Sequence, residues 1–156
     1  MDNFQKLEFG ILALILVFIL ALFFYSINIT GLSIFRDEIN APYDFISEDQ
    51  ILVDNGNIVI NLSNYTLRRF ESSGSMLPFL SENSTGVGIK PETEKDIHVG
   101  DIITFEKEGI LIVHRVVEKE YNGQELYFIT KGDNNGIKDS KIQFEDIDSV
   151  IVAVIY

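Results

Sequence analysis

The chain has 156 residues, which leaves room for a membrane segment beside one compact domain of about 100–130 residues and not for two separate domains. Twenty-four acidic residues against twelve basic ones give a formal net charge of −12, and no Lys/Arg cluster supplies the basic footprint that nucleic-acid binding needs. There is no cysteine, which excludes disulfides and a cysteine nucleophile, and with only His98 and His114 a histidine-rich zinc site is disfavoured.

From Phe9 to Phe35 no residue is charged, and Phe9 to Ile29 is almost continuously apolar. About 20 such residues at 1.5 Å rise match the roughly 30 Å hydrocarbon core of a bilayer, so the pattern predicts a transmembrane helix over 9–30 after a short tail, 1–8. A cleaved signal peptide fits less well, because the apolar run is long and ends at Phe23-Phe24-Tyr25-Ser26-Ile27 without a small-residue cleavage pattern. Lys6 on one side and Arg36 on the other nearly balance, so charge does not settle the orientation. Four Asn-x-Ser/Thr sequences, beginning at Asn28, Asn61, Asn64 and Asn83, fit an outward-facing domain but also arise by chance in an Asn-rich chain.

Residues 31–48 read as an irregular linker containing Pro42, and 49–156 as a mainly β domain. Ile51–Ile60 predicts a hairpin, since an Asn55-Gly56 turn joins two β-branched runs. An extended stretch, Tyr65 to Glu71, leads to Ser73-Gly74-Ser75-Met76-Leu77-Pro78, where Gly74 permits a tight turn and Pro78 opposes helix. Ser81 to Val99 reads as loop, being rich in Ser, Thr, Glu and Gly with Pro91 inside it. Strands are then predicted from Gly100, over Ile110–Glu118, over Glu125–Lys131 and over Val150–Ile155, with a turn near Glu106–Gly109 joining the first two.

Three segments carry chemistry. Ser75 sits at a loop tip; alternation along the strand puts His114 with Ile112 and Val116 on one face and Val113, Arg115 and Val117 on the other; Asp133 and Asp139 lie in a Gly/Asn-rich loop. Each has a plainer reading: a solvated turn, a core histidine, and aspartates serving Asx turns. Together they supply the parts of an acyl-transfer site, in which either aspartate is able to orient the imidazole.

In order, Ser-Gly-Ser-Met-x-Pro from Ser73, Val-Gly-Asp-Ile-Ile from Val99, Val-His-Arg-Val-Val from Val113 and Thr-Lys-Gly-Asp-Asn-Asn from Thr130 resemble the motifs of type I signal peptidases. The resemblance covers roughly Glu71 to Asp139. His114, where bacterial members carry lysine, points to the archaeal and endoplasmic-reticulum branch, and the apolar N-terminal segment fits as well. It implies Ser75 as nucleophile, His114 as general base, Asp139 as the triad aspartate, Asp133 as a supporting aspartate, and Ser73 as an oxyanion-hole hydroxyl beside the Ser75 N–H. It also implies a signal-peptidase-like β fold, preprotein signal peptides as substrates with small residues at −1 and −3, possible secretion-machinery partners, and no metal or organic cofactor. The implied location is the cell membrane, single-pass, with the domain on the extracytoplasmic or lumenal face. Met76, Leu77 and Phe79 are candidates for a loop that meets substrate or the bilayer surface, with ordinary core packing as the alternative. Asp101 and Gly100 fit a structural turn, and His98 an exposed loop. Three departures from the family pattern are Lys138 where many relatives are acidic, Leu77 where eukaryotic members often have Glu, and an end at Tyr156 without the longer C-terminal region of many relatives. Two rivals remain: a catalytically degenerate homologue, and a pilin-like, non-catalytic interaction module.

Overall fold

The computed structural model describes Gln5, Phe9, 11–22 and 39–156. The chain divides into two units, Met1–Glu38 and Ile39–Tyr156. In the first, the described residues are helical and exposed, with apolar side chains such as Leu12, Val17 and Phe18 open on all sides. This corrects the expected transmembrane helix: among the described residues no helix is long and apolar enough to cross a membrane. The remainder of the expected span, Gly10 and 23–30 with Asn28 among them, lies outside the described residues.

In the second unit every strand pairing is antiparallel, with short 3-10 turns at Glu48–Gln50, Glu94–Asp96 and Phe144–Asp146. Strands β1 (Ile51–Asp54) and β2 (Asn57–Ile60) form a separate hairpin in the expected register, Asp54 facing Asn57. Asn55 and Gly56 take φ of 46° and 82°, the left-handed pair that an Asn-Gly hairpin turn requires. The main sheet contains β3 (Tyr65–Arg69), β4 (Thr85–Ile89), β5 (Ile102–Lys107), β6 (Ile110–Tyr121), β7 (Leu126–Lys131) and β8 (Ile147–Ile155). Its order is β3-β4-β8-β5-β6-β7, with every neighbour antiparallel.

Strand alternation buries the sheet on both faces. Ile103, Phe105, Val116, Phe128 and Val150 meet in one core, while their neighbours Ile102 and Ile151 join Met76 and Leu80 in the other. Within β6, Val116 pairs with Thr130 and Glu118 with Ile129, so Val117 is an extra residue and the strand bulges just beyond His114 and Arg115.

Strand β4 replaces part of the loop expected over 81–99. Its sequence, Thr-Gly-Val-Gly-Ile, looks like a breaker because glycine has low strand preference, yet both glycines answer a packing demand. An added Cβ at Gly86 would stand 2.6 Å from the Phe70 ring, and one at Gly88 would stand 2.6 Å from Ser149 Oγ. His98 is also less free than an exposed loop residue. It stacks on Tyr43 with ring centroids 4.2 Å apart, above a fully buried Asp101 whose carboxylate accepts from the Tyr43 and His98 backbone N–H groups.

Candidate active site

β3 delivers the chain to a turn at 75–79 that carries Ser75, and the centre of β6 carries His114. The turn is pinned from beneath by Met76 and Leu80, which are 3% and 2% exposed in the second core. Met76 therefore serves packing and not the surface, as its unbranched, apolar thioether suits. Leu77 and Phe79 of the same turn stay exposed, and Phe79 lies over the Arg115 guanidinium at 5.2 Å. Ser75 and His114 line one cleft of about 470 Å³, together with Ser73, Arg68, Glu71, Thr104, Leu111 and Asn135 among others.

His114 is 8% exposed and held by backbone pairing with Ile103 on β5. Its Nδ1 lies 2.6 Å from Asp139 Oδ2, and that oxygen also accepts from Thr130 Oγ1 at 2.6 Å. The Asp139 backbone N–H donates to the Thr130 carbonyl, so β7 holds both the main chain and the side chain of the aspartate. A carboxylate only accepts, so the Nδ1 facing it carries the ring proton and Nε2 is left as the acceptor, the tautomer a general base needs.

Asp133 goes elsewhere. Its two oxygens accept from Arg115 Nε and Nη2 at 2.8 and 2.7 Å, and Arg115 Nη1 donates to the Gly100 carbonyl at 2.7 Å. Sequence alone allowed either aspartate to face the imidazole; the geometry pairs Asp139 with His114 and Asp133 with Arg115, on opposite faces of β6. Lys138, the departure from the family pattern, donates to Glu118 Oε2 at 2.9 Å.

Ser73 Oγ lies 3.1 Å from Ser75 Oγ and accepts from the Ser75 N–H at 3.4 Å, so two candidate oxyanion donors stand beside the nucleophile position. Asn134 N–H donates to the Ser75 carbonyl at 2.8 Å, and Asn134 Nδ2 to the Gly74 carbonyl at 3.1 Å. An added Cβ at Gly132 would stand 2.7 Å from the Ser75 carbonyl oxygen, which requires glycine there. Thr130, Arg115 and Asn134 are site-building residues that the sequence reading left without a role. The legible signals were an arginine inside an apolar strand, which must find a partner, and the Thr-Lys-Gly-Asp-Asn-Asn run taken as a whole.

Comparison with known proteins fits this arrangement. No family model matches the chain. It is 40% identical over 78 residues to signal peptidase I W of Bacillus subtilis, covering 49% of this chain and 40% of that protein. It is 36% identical over 81 residues to the signal peptidase complex catalytic subunit SEC11 of Colletotrichum graminicola, covering 51% and 47%. The chain resembles the type I signal peptidase family. A third relative, the SEC11 subunit of Scheffersomyces stipitis, is 42% identical over 48 residues, 30% of this chain and 29% of its own. The matches thus span less than half the length of these signal peptidases.

Proposed function

We propose that the chain is a serine endopeptidase of the signal peptidase type, removing signal peptides from exported preproteins at the extracytoplasmic or lumenal face of the cell membrane. The observation that carries this reading is the shared cleft of Ser75 and His114, with His114 Nδ1 held by Asp139. His114 in the base position favours the Ser/His branch, with archaeal and endoplasmic-reticulum enzymes.

In this mechanism Ser75 Oγ attacks the scissile carbonyl while His114 Nε2 accepts its proton. Asp139 stabilises the imidazolium that forms. The Ser75 N–H and the Ser73 hydroxyl receive the negative charge developing on the carbonyl oxygen. His114 then returns the proton to the leaving amine, and water, deprotonated by the same imidazole, hydrolyses the acyl-enzyme. Small side chains at −1 and −3 of the substrate are the preference that family resemblance supplies.

Cleavage of a preprotein with an A-x-A site by the wild-type chain, set against Ser75→Ala, tests the proposal. Product with wild type and none with Ser75→Ala is the expected result. Equal cleavage by both removes Ser75 from the chemistry, and no cleavage by folded wild type removes the activity.

A further inference from the structure

The Gly74–Ser75 peptide unit has two ends. In a trans peptide the carbonyl and the N–H point in opposite directions within one plane, so whatever fixes the carbonyl also aims the N–H. Here the N–H belongs to Ser75, the backbone donor of the proposed oxyanion hole, which without substrate donates to Ser73 Oγ at 3.4 Å, and the carbonyl belongs to Gly74. Gly74 has a φ of 70°, a region where glycine is unstrained and where it tolerates more than one setting of the peptide that follows. Something must therefore select the orientation.

Two donors reach the Gly74 carbonyl. Leu77 N–H, at 3.3 Å, closes the turn itself and moves with it. Asn134 Nδ2, at 3.1 Å, comes from the loop after β7 and is the contact that references this peptide to the body of the domain. The loop is firmly placed. Asp133, the preceding residue, is clamped by Arg115, the residue after His114 on β6, and Asn134 N–H also holds the Ser75 carbonyl. One strand thus sets the base through its backbone, and sets the N–H through Arg115, Asp133 and Asn134.

We propose that Asn134 is a positioning residue for the oxyanion hole: its side-chain amide holds the Gly74 carbonyl and so turns the Ser75 N–H toward the developing oxyanion. This rests on the serine peptidase reading. The Asn134 side chain would touch neither substrate nor reacting atoms, and its effect is confined to the transition state.

The full chain carrying Asn134→Ala, and separately Asn134→Asp, is compared with wild type in preprotein cleavage. Asn134→Asp keeps the shape but sets an acceptor against the carbonyl. Because Asn134 is exposed and its backbone bond survives, both variants should melt with wild type. The expected result is a kcat lowered about 10- to 100-fold, less than outright deletion of an oxyanion donor, with KM changed less than about twofold. Affinity for a peptide boronate, which forms an anionic tetrahedral adduct on Ser75, should fall by the same factor as kcat. An unchanged kcat in a folded variant, a raised KM at constant kcat, or a lowered kcat with full boronate affinity would each overturn the inference. Should Asn134→Ala not fold, Asn134→Asp carries the comparison. If wild type neither cleaves nor binds the boronate, the peptidase reading fails and takes this inference with it. If wild type cleaves, Ser75→Ala does not, and both Asn134 variants match wild type, only the inference fails.

Discussion

Asp133 and Asp139 sit in one loop, yet their removal should do different things. The Asp133 side chain is 2% exposed and that of Arg115 is 4% exposed, and the two make a bidentate pair at 2.7 and 2.8 Å. Asp133→Ala leaves a buried guanidinium with no anionic partner, hydrogen-bonded to the carbonyls of Gly100 and, at 3.5 Å, Asn40 and faced by the Phe79 ring. Breaking one side of such a pair costs about 3–5 kcal/mol. For a domain of this size that corresponds to a melting temperature lowered by roughly 10–25 °C. Urea and thermal unfolding of wild type, Asp133→Ala, Arg115→Met and the Arg115→Met/Asp133→Leu double variant measure it. The double variant should recover much of the loss, because desolvating both charges offsets most of what their attraction contributes. A cost for Asp133→Ala below about 1 kcal/mol, or a double variant as unstable as the sum of the singles, would refute the reasoning.

Asp139→Asn, by contrast, should melt within a few degrees of wild type yet lower kcat by about 10³–10⁴, since an amide facing Nδ1 favours the wrong imidazole tautomer; steady-state kinetics on a preprotein decide it. Burial works to raise the Asp148 carboxyl, but the hydrogen bond from Thr104 and the charge of Arg68 outweigh it and hold the group below the usual carboxylate value. A carboxyl depressed in the folded state contributes stability at neutral pH that is lost as pH falls through its folded value. Asp148→Asn should therefore flatten the loss of melting temperature below about pH 4, and an unchanged acid limb would count against the pair. Gly86→Ala should destabilise by about 1–3 kcal/mol through its collision with Phe70, measurable by urea unfolding.

Where sequence reading succeeded, local chemistry dictated the outcome. Asn55-Gly56 admits one kind of turn, and the alternation through Ile110–Val116 puts His114 and Arg115 on opposite faces, as the two cores and the Asp139 and Asp133 contacts attest. Where it failed, the cause was non-local. β4 needs its glycines because Phe70 and Ser149 press on them from residues distant in sequence, so its pattern mimics a loop. Two aspartates six positions apart in one loop are indistinguishable until β6 sorts their partners between its faces. The N-terminal expectation rested on apolar length alone; among the described residues no helix is long and apolar enough to cross a membrane.

The proposed pairing of Ser75 with His114 is tested most directly by making the proposed nucleophile visible. The chain has no cysteine, so Ser75→Cys introduces a single thiol. Its alkylation rate by iodoacetamide is followed against pH, with and without His114→Gln. If the two side chains act together, the imidazole draws the thiol proton, and alkylation should titrate well below the ordinary thiol value of about 8.5 with His114 present and return to that value without it. Identical profiles in the two backgrounds would contradict the pairing.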